Sequence, residues 1–120
     1  MKVVHITTID AGGAYKAALR LHQGLIKKGI ASQILLRTKI NKSNGGVEVF
    51  GNQLSSCVSK AKNLFNLFMA DGEIARDILG TDISKNKMVR EADVIILHWI
   101  NSFLTPKEIR KLAALDKPII

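Results

Sequence analysis

The stretch HITTIDAGGAYKAALRLHQGL, residues 5–25, decides the fold of this chain. Residues 2–8 before its glycines are β-branched and almost all apolar, which is typical of a strand buried on both faces of a parallel sheet. Small and apolar residues then recur at helical spacing, and this predicts a helix over 14–28 that ends at Gly29. Residues 31–38 predict a second strand. This strand, helix and strand have the length of a right-handed parallel crossover.

The rest of the chain continues the alternation of strands and helices. Further strands are predicted over 47–51, 94–97 and from 117, and helices over 54–69, weakly over 73–79, and from the capping-box sequence TPKE at 105–108. This order predicts an α/β fold in one domain, 1–120, with a Rossmann-like, doubly wound parallel sheet. Because the last residues read as the start of a strand, we expect the sequence to be the first part of a longer polypeptide.

Charge is distributed unevenly over the 120 residues, whose net charge is +8. Residues 1–60 hold nine Lys or Arg against Asp10 and Glu48, giving +7, and residues 61–120 hold nine against eight acids, giving +1. A basic half favours anionic partners such as nucleic acid, anionic lipid or phosphorylated small molecules, although it also fits a solvated surface. The single Cys57 excludes an internal disulfide and indicates a reducing, cytoplasmic compartment.

The loop Asp10-Ala11-Gly12-Gly13 is the first candidate site, because it leads from a strand into a helix. The free N–H groups and the dipole of a helix N-terminus favour an anion, and glycine lets a phosphate or sugar approach the backbone. The alternative is a plain tight turn that requires positive φ. Neither the G-x-G-x-x-G dinucleotide fingerprint nor a P-loop is present, so the familiar phosphate signatures do not identify the ligand.

The segment LHWIN, residues 97–101, is the second candidate site, because it follows a buried strand at the edge where such sheets bind ligands. Trp99 is able to stack on a sugar or base and His98 to form a hydrogen bond. The alternative is that Trp99 caps the core and His98 pairs with backbone. We expect His5 to be a hydrogen-bonded core residue and His22 to be half exposed. The histidines and Cys57 lack the paired spacing of a zinc site, which predicts no metal.

Two segments resemble the family 4 retaining glycosyltransferases, which have the GT-B fold. MKVVHITTIDAGGAYKAALRLHQGLIKKGIASQILL is similar to the opening of the N-terminal domain of that family, with its paired glycines and RLHxGL sequence. DISKNKMVREADVIILHWINSFLTPKEIRKL is similar to a later segment of the same domain and the helix after it. The resemblance covers both ends of the chain and is weak over 40–81.

The resemblance implies a role for each matched position. Gly12 and Gly13 would form the loop facing the diphosphate and sugar of the donor, with Lys16 as a basic residue beside it. His98, Trp99 and Asn101 would line the acceptor side. The implied reaction transfers a sugar from a nucleotide-sugar donor, without a cofactor or metal, to a saccharide or lipid-linked acceptor used in polysaccharide biosynthesis.

The resemblance also defines what these residues lack. The C-terminal domain of the family, with the glutamate pair of the donor site, does not occur in this sequence, so no catalytic residue is assigned. We expect the 120 residues to be inactive by themselves and to contact, at most, an anionic membrane surface on its cytoplasmic side. The alternative function is a non-enzymatic basic α/β module that binds nucleic acid or anionic surfaces. Nucleic acid is the less favoured partner, because Lys and Arg are not interleaved with aromatic side chains.

Overall fold

A computed structural model describes residues 1–40, 82–101 and 103–120, and the backbone of 47–49. The elements in chain order are β1 (Lys2–Ile9), α1 (Gly12–Lys27), β2 (Ala31–Thr38), β3 (Val47–Val49), α2 (Lys87–Glu91), β4 (Val94–Leu97) and α3 (Pro106–Ala113). The helices predicted over 54–69 and 73–79, and Cys57, lie outside the described residues. Within the described ranges, every helix is too short or too polar to cross a bilayer.

The four strands form one parallel sheet in the order β3-β2-β1-β4. Val4 of β1 is opposite Gln33 of β2 on one side and Ile95 of β4 on the other. The final residues continue the sheet, because Ile119 forms a parallel bridge with Ile95. The prediction of an α/β fold with an open parallel sheet is therefore confirmed. The order β3-β2-β1-β4 is also that of the first four strands in a doubly wound sheet.

Helices pack on both faces of the sheet. Alternate residues of each strand point to opposite faces, so each strand contributes side chains to two separate cores. Val4 and Ile6 of β1 share one apolar core with Met88 and Val89 of α2 and Leu112 of α3. On the other face, Tyr15 of α1 packs against Ile34 and Leu36 of β2. A strand covered on both sides buries its central residues, and residues 3–7 of β1 and 34–36 of β2 are accordingly buried.

Helix α1 buries only part of the face that its sequence predicts. The predicted stripe consists of Ala14, Ala17, Ala18, Leu21 and Leu25. Ala18 is buried as predicted, but Ala17 is exposed, Leu21 is 44% exposed, and Tyr15 is buried although it lies outside the stripe. Apolar residues surround most of this helix, so periodicity alone does not fix its rotation about its axis, and contacts with β2 decide it.

The helix ends follow the local sequence closely. Gly29 has φ +74°, and the N–H groups of Gly29 and Ile30 donate to the carbonyls of Ile26 and Leu25 at 2.9 and 3.0 Å, forming a Schellman end for α1. At the start of α3, the Thr105 N–H donates to the Glu108 carboxylate and the Thr105 side chain accepts from the Glu108 N–H, and these two bonds form the predicted capping box. The end of α1 at Gly29 is followed directly by β2, which begins at Ala31.

Candidate functional site

The loops after β1 and β4 meet at the carboxyl edge of the sheet. The chain leaves β1 through α1 toward β2 on one side, whereas β4 pairs with β1 on the other, so the topology reverses between β1 and β4. Thr8 joins the two loops: its amide lies 2.8 Å from the carbonyl oxygen of Trp99, and its hydroxyl lies 2.8 Å from that oxygen and 2.9 Å from the carbonyl oxygen of Asn101. We call residues 10–13 and 98–101 the switch-point edge. Ligands of open α/β sheets bind at such a position.

The glycine pair forms an open helix N-terminus at the switch-point edge. Ala11 is the extended N-cap residue and makes no side-chain hydrogen bond to the helix, and the first turn contains no acidic residue. Gly12 has φ +80°, so the positive φ required by a tight turn is present at this position. A Cβ added at Gly13 would meet no heavy atom within 4 Å. This helix N-terminus without a side-chain cap or a first-turn acid suits an anionic group.

Asp10 fixes the position of the glycine loop, and sequence reasoning did not predict this role. Its side chain is only 1% exposed, and Oδ1 accepts a 2.6 Å hydrogen bond from the backbone N–H of Ile40, just after β2. The carboxylate therefore ties the end of β1 to the chain that follows β2. Lys16, the basic residue matched by the resemblance, is exposed one turn after Gly12.

Trp99 and Asn101 lie at the same edge as the glycine loop. Trp99 is 56% exposed, so it does not cap the core, although this was one of the two alternatives that the sequence left open. Asn101 is also exposed, and its backbone is held by Thr8. An exposed indole next to an open helix N-terminus provides an apolar face for a sugar ring or base beside a place for a phosphate. The structure thus brings all the predicted positions together, while their roles stay predictions.

All three histidines of the chain lie in one hydrogen-bonded group, which sequence reasoning did not find. Nδ1 of His5 is 3.0 Å from Nε2 of His98, and Nε2 of His5 is 3.1 Å from the hydroxyl of Ser32. That hydroxyl is also 2.8 Å from Nδ1 of His22 on α1. His5 is fully buried, and His22 and His98 are partly buried, so the predictions of a core His5 and a half-exposed His22 are confirmed.

The surroundings of these histidines favour neutral rings. Burial, followed by repulsion from His98 and then from His22, lowers the pKa of His5 from 6.5 to about 4. Burial also lowers the pKa of His22 and of His98. A neutral imidazole has one donor nitrogen and one acceptor nitrogen, so each ring is able to pass a hydrogen bond onward. Hydrogen bonds therefore connect His98, at the switch-point edge, through His5 and Ser32 to His22 on α1.

The described ranges contain no group of side chains with the geometry of a metal site. No set of three or more His, Cys, Asp or Glu side chains there has the geometry to hold a metal ion. The expectation of a reaction without a metal stays a prediction.

No protein-family model matches this chain, and neither a curated protein nor a solved structure matches it. Its function therefore rests on the geometry of the switch-point edge and on the sequence resemblance.

Proposed function

We propose that the chain is the N-terminal, acceptor-side domain of a family 4 retaining glycosyltransferase with the GT-B architecture. In the complete enzyme this domain faces a nucleotide-binding domain and moves a sugar from a nucleotide-sugar donor to a saccharide or lipid-linked acceptor in the cytoplasm, at the inner membrane face. One observation carries the proposal: the two segments that resemble the family meet beside the switch-point edge, where Thr8 near the end of β1 bonds the carbonyls of Trp99 and Asn101, 91 and 93 residues away.

The glycine loop supports the role of a donor diphosphate site. The α1 N-terminus has no side-chain cap and no acid in its first turn, so neither competes with an incoming anion. In the proposed reaction the N–H groups of Gly12 and Gly13 stabilise the charge that develops on the leaving diphosphate, in the manner of an oxyanion hole. Lys16 adds a positive charge at the same end of the helix.

Residues 98–101 of the switch-point edge support the acceptor role. Trp99 offers an exposed aromatic face, His98 a ring nitrogen and Asn101 an amide, and these groups suit the mixed apolar and hydroxyl surface of a saccharide. We expect turnover to require the complete enzyme, in which a nucleotide-binding domain faces this one.

The chain contains a matched pair of substitutions that tests the donor loop. Gly13→Asp and Gly24→Asp both change a glycine of α1 whose added Cβ meets no heavy atom within 4 Å, and both lower the net charge by one. Only Gly13 lies at the switch-point edge. Trp99 is the sole tryptophan, so its fluorescence reports on this edge when the 120-residue chain is titrated with UDP-glucose or inorganic diphosphate.

We expect a saturable change of Trp99 fluorescence that Gly13→Asp weakens by about tenfold or more, through repulsion of the diphosphate, and that Gly24→Asp leaves unchanged. The absence of any change in the unmodified chain would refute the donor-loop proposal. Equal weakening by both substitutions would show that overall charge drives binding. That outcome, with tight and salt-sensitive binding of duplex or single-stranded DNA, would favour the alternative of a basic binding module.

A further inference from the structure

The hydrogen bonds that link the three histidines to Ser32 have a direction, which the positions of the ring protons define. We call His98, His5, Ser32 and His22 the histidine-serine network, and its three links measure 3.0, 3.1 and 2.8 Å. Each neutral ring holds one proton, and the hydroxyl holds one proton and accepts up to two hydrogen bonds. The directions of the His98–His5 and His5–Ser32 links are therefore tied together, whereas Ser32 that accepts from His5 leaves His22 able to accept from it or to donate to it. His98 and His5 carry their protons either both on Nε2 or both on Nδ1.

The direction of the network determines which group His98 offers to a ligand. Nε2 of His98 is occupied by His5, so Nδ1 is the nitrogen that remains for a ligand. When both protons lie on Nε2, His98 donates to His5, and His5 donates to Ser32. Nδ1 of His98 is then a hydrogen-bond acceptor, which is what a hydroxyl nucleophile needs.

We propose that His5, Ser32 and His22 are positioning residues, which hold His98 with its proton on Nε2 so that Nδ1 accepts a hydrogen bond from the hydroxyl group of the acceptor. This inference rests on the proposed function, because it takes His98 to lie on the acceptor side. The network reaches its ligand through His98 alone. His5 is fully buried, and Ser32 is 7% exposed.

The burial of the network supports a fixed direction. Side chains from β1, β2, α1 and the loop after β4 face one another here, and burial lowers the pKa of all three histidines. The rings of His5 and His98 lie 5.3 Å apart at 33°, whereas those of His5 and His22 lie 6.2 Å apart at 87°. Reversing the His98–His5 and His5–Ser32 links needs a proton to change nitrogen on both rings together, which favours one arrangement of these two rings.

The test is a long-range ¹H–¹⁵N NMR spectrum of the histidine side chains in the 120-residue protein at pH 7, without ligand. Protonated and unprotonated ring nitrogens give separate ¹⁵N signals, so each tautomer is read directly. We expect His98 and His5 to carry the proton on Nε2. A proton on Nδ1 of either of these two rings would overturn the inference.

Ser32→Ala tests whether the network acts on His98 from a distance, since Ser32 bonds His5 and His22 but not His98 in the network. Without the hydroxyl, the Nε2–H of His5 has lost its acceptor in a buried place, which favours the proton on Nδ1 of His5 and, through it, on Nδ1 of His98. We therefore expect the ¹⁵N signal of His98 Nδ1 to move toward that of a protonated nitrogen, and the signal of Nε2 to move toward that of an unprotonated one. Ser32→Thr restores them, because the hydroxyl is kept.

Ser84→Ala is the matched control, since the Ser84 hydroxyl bonds Asp82 at 2.6 Å, away from the histidines. It leaves the His98 signals unchanged. Identical His98 signals in Ser32→Ala and the unmodified protein would overturn the positioning role. Failure of the UDP-glucose titration would instead remove the proposed function and leave the tautomer result standing, so the two failures are distinguishable. Should Ser32→Ala not fold, the spectrum of the unmodified protein decides by itself.

Discussion

The buried ring of His5 makes the stability of this protein depend on pH in a defined window. Its pKa is about 4 in the folded protein and 6.5 without the fold. Between these values the unfolded chain binds a proton that the folded protein does not bind. The free energy of unfolding therefore falls as pH falls from 6.5 toward 4 and is fully recovered above 6.5.

The magnitude follows from the difference between the two pKa values of His5, 6.5 and about 4. At about 1.4 kcal/mol for each pKa unit, the complete effect is about 3 kcal/mol, of which about 2 kcal/mol falls between pH 7 and 4.5. Carboxylates contribute mainly below this window. Asp82, for example, has its pKa lowered to about 2 by the hydrogen bonds from Lys111 and Ser84.

The assay is urea unfolding followed by far-ultraviolet circular dichroism, at several pH values from 7.5 to about 4.5. His5→Gln removes the titrating ring, so we expect this variant to be less stable at pH 7 but to lose about 2 kcal/mol less on acidification than the unmodified protein. His22→Gln is the control, because His22 is only partly buried and its removal changes the pH dependence less. An equal loss of stability in His5→Gln and the unmodified protein would refute the reasoning.

Three further predictions concern the switch-point edge, and urea unfolding measures each of them. Gly12→Ala should destabilise by about 1–2 kcal/mol because φ is +80° there, whereas Gly13→Ala, with open space for its Cβ and better helix propensity, should be neutral or slightly stabilising. Equal changes in the free energy of unfolding for Gly12→Ala and Gly13→Ala would contradict the positive φ of Gly12. Asp10→Ala should cost about 1–3 kcal/mol, because the Ile40 N–H loses its acceptor. Trp99→Ala should change stability by less than about 0.5 kcal/mol, since the indole is exposed, and should leave the UDP-glucose shifts of the Gly12 and Gly13 amides in NMR spectra in place, because Trp99 belongs to the acceptor side. A large loss of stability would place the indole in the core.

The sequence predicts most local elements of the described fold, but it does not predict α2, which lies in the polar segment 82–92. The bounds of β2 and β4 match the predicted strands 31–38 and 94–97, and the TPKE capping box begins α3 where expected. Such features depend on residues within four positions of one another, so the sequence itself contains the information. The parallel sheet follows from the same patterns, because buried strands alternate with helices and connect by crossovers.

The candidate site is predicted only in part. The glycine loop and the LHWIN segment are each recognisable, and their position at the ends of strands predicts that they share an edge. The exposure of Trp99 depends on how the loop after β4 is held. Thr8, which lies 91 residues earlier in the chain, holds this loop through a hydrogen bond to the Trp99 carbonyl. Asp10 likewise acts across 30 residues, on a backbone N–H that no sequence pattern marks.

The sequence by itself determined the strands, the helix ends, the glycine loop and the class of fold, since hydrophobic period, capping and backbone preference act over a few residues. Only the tertiary structure decided which face of α1 is buried and that His5, His22 and His98 share one network. Those outcomes depend on the register between parallel strands and on the rotation of a helix against them. Both are set by packing between segments far apart in the chain, where local patterns carry no information.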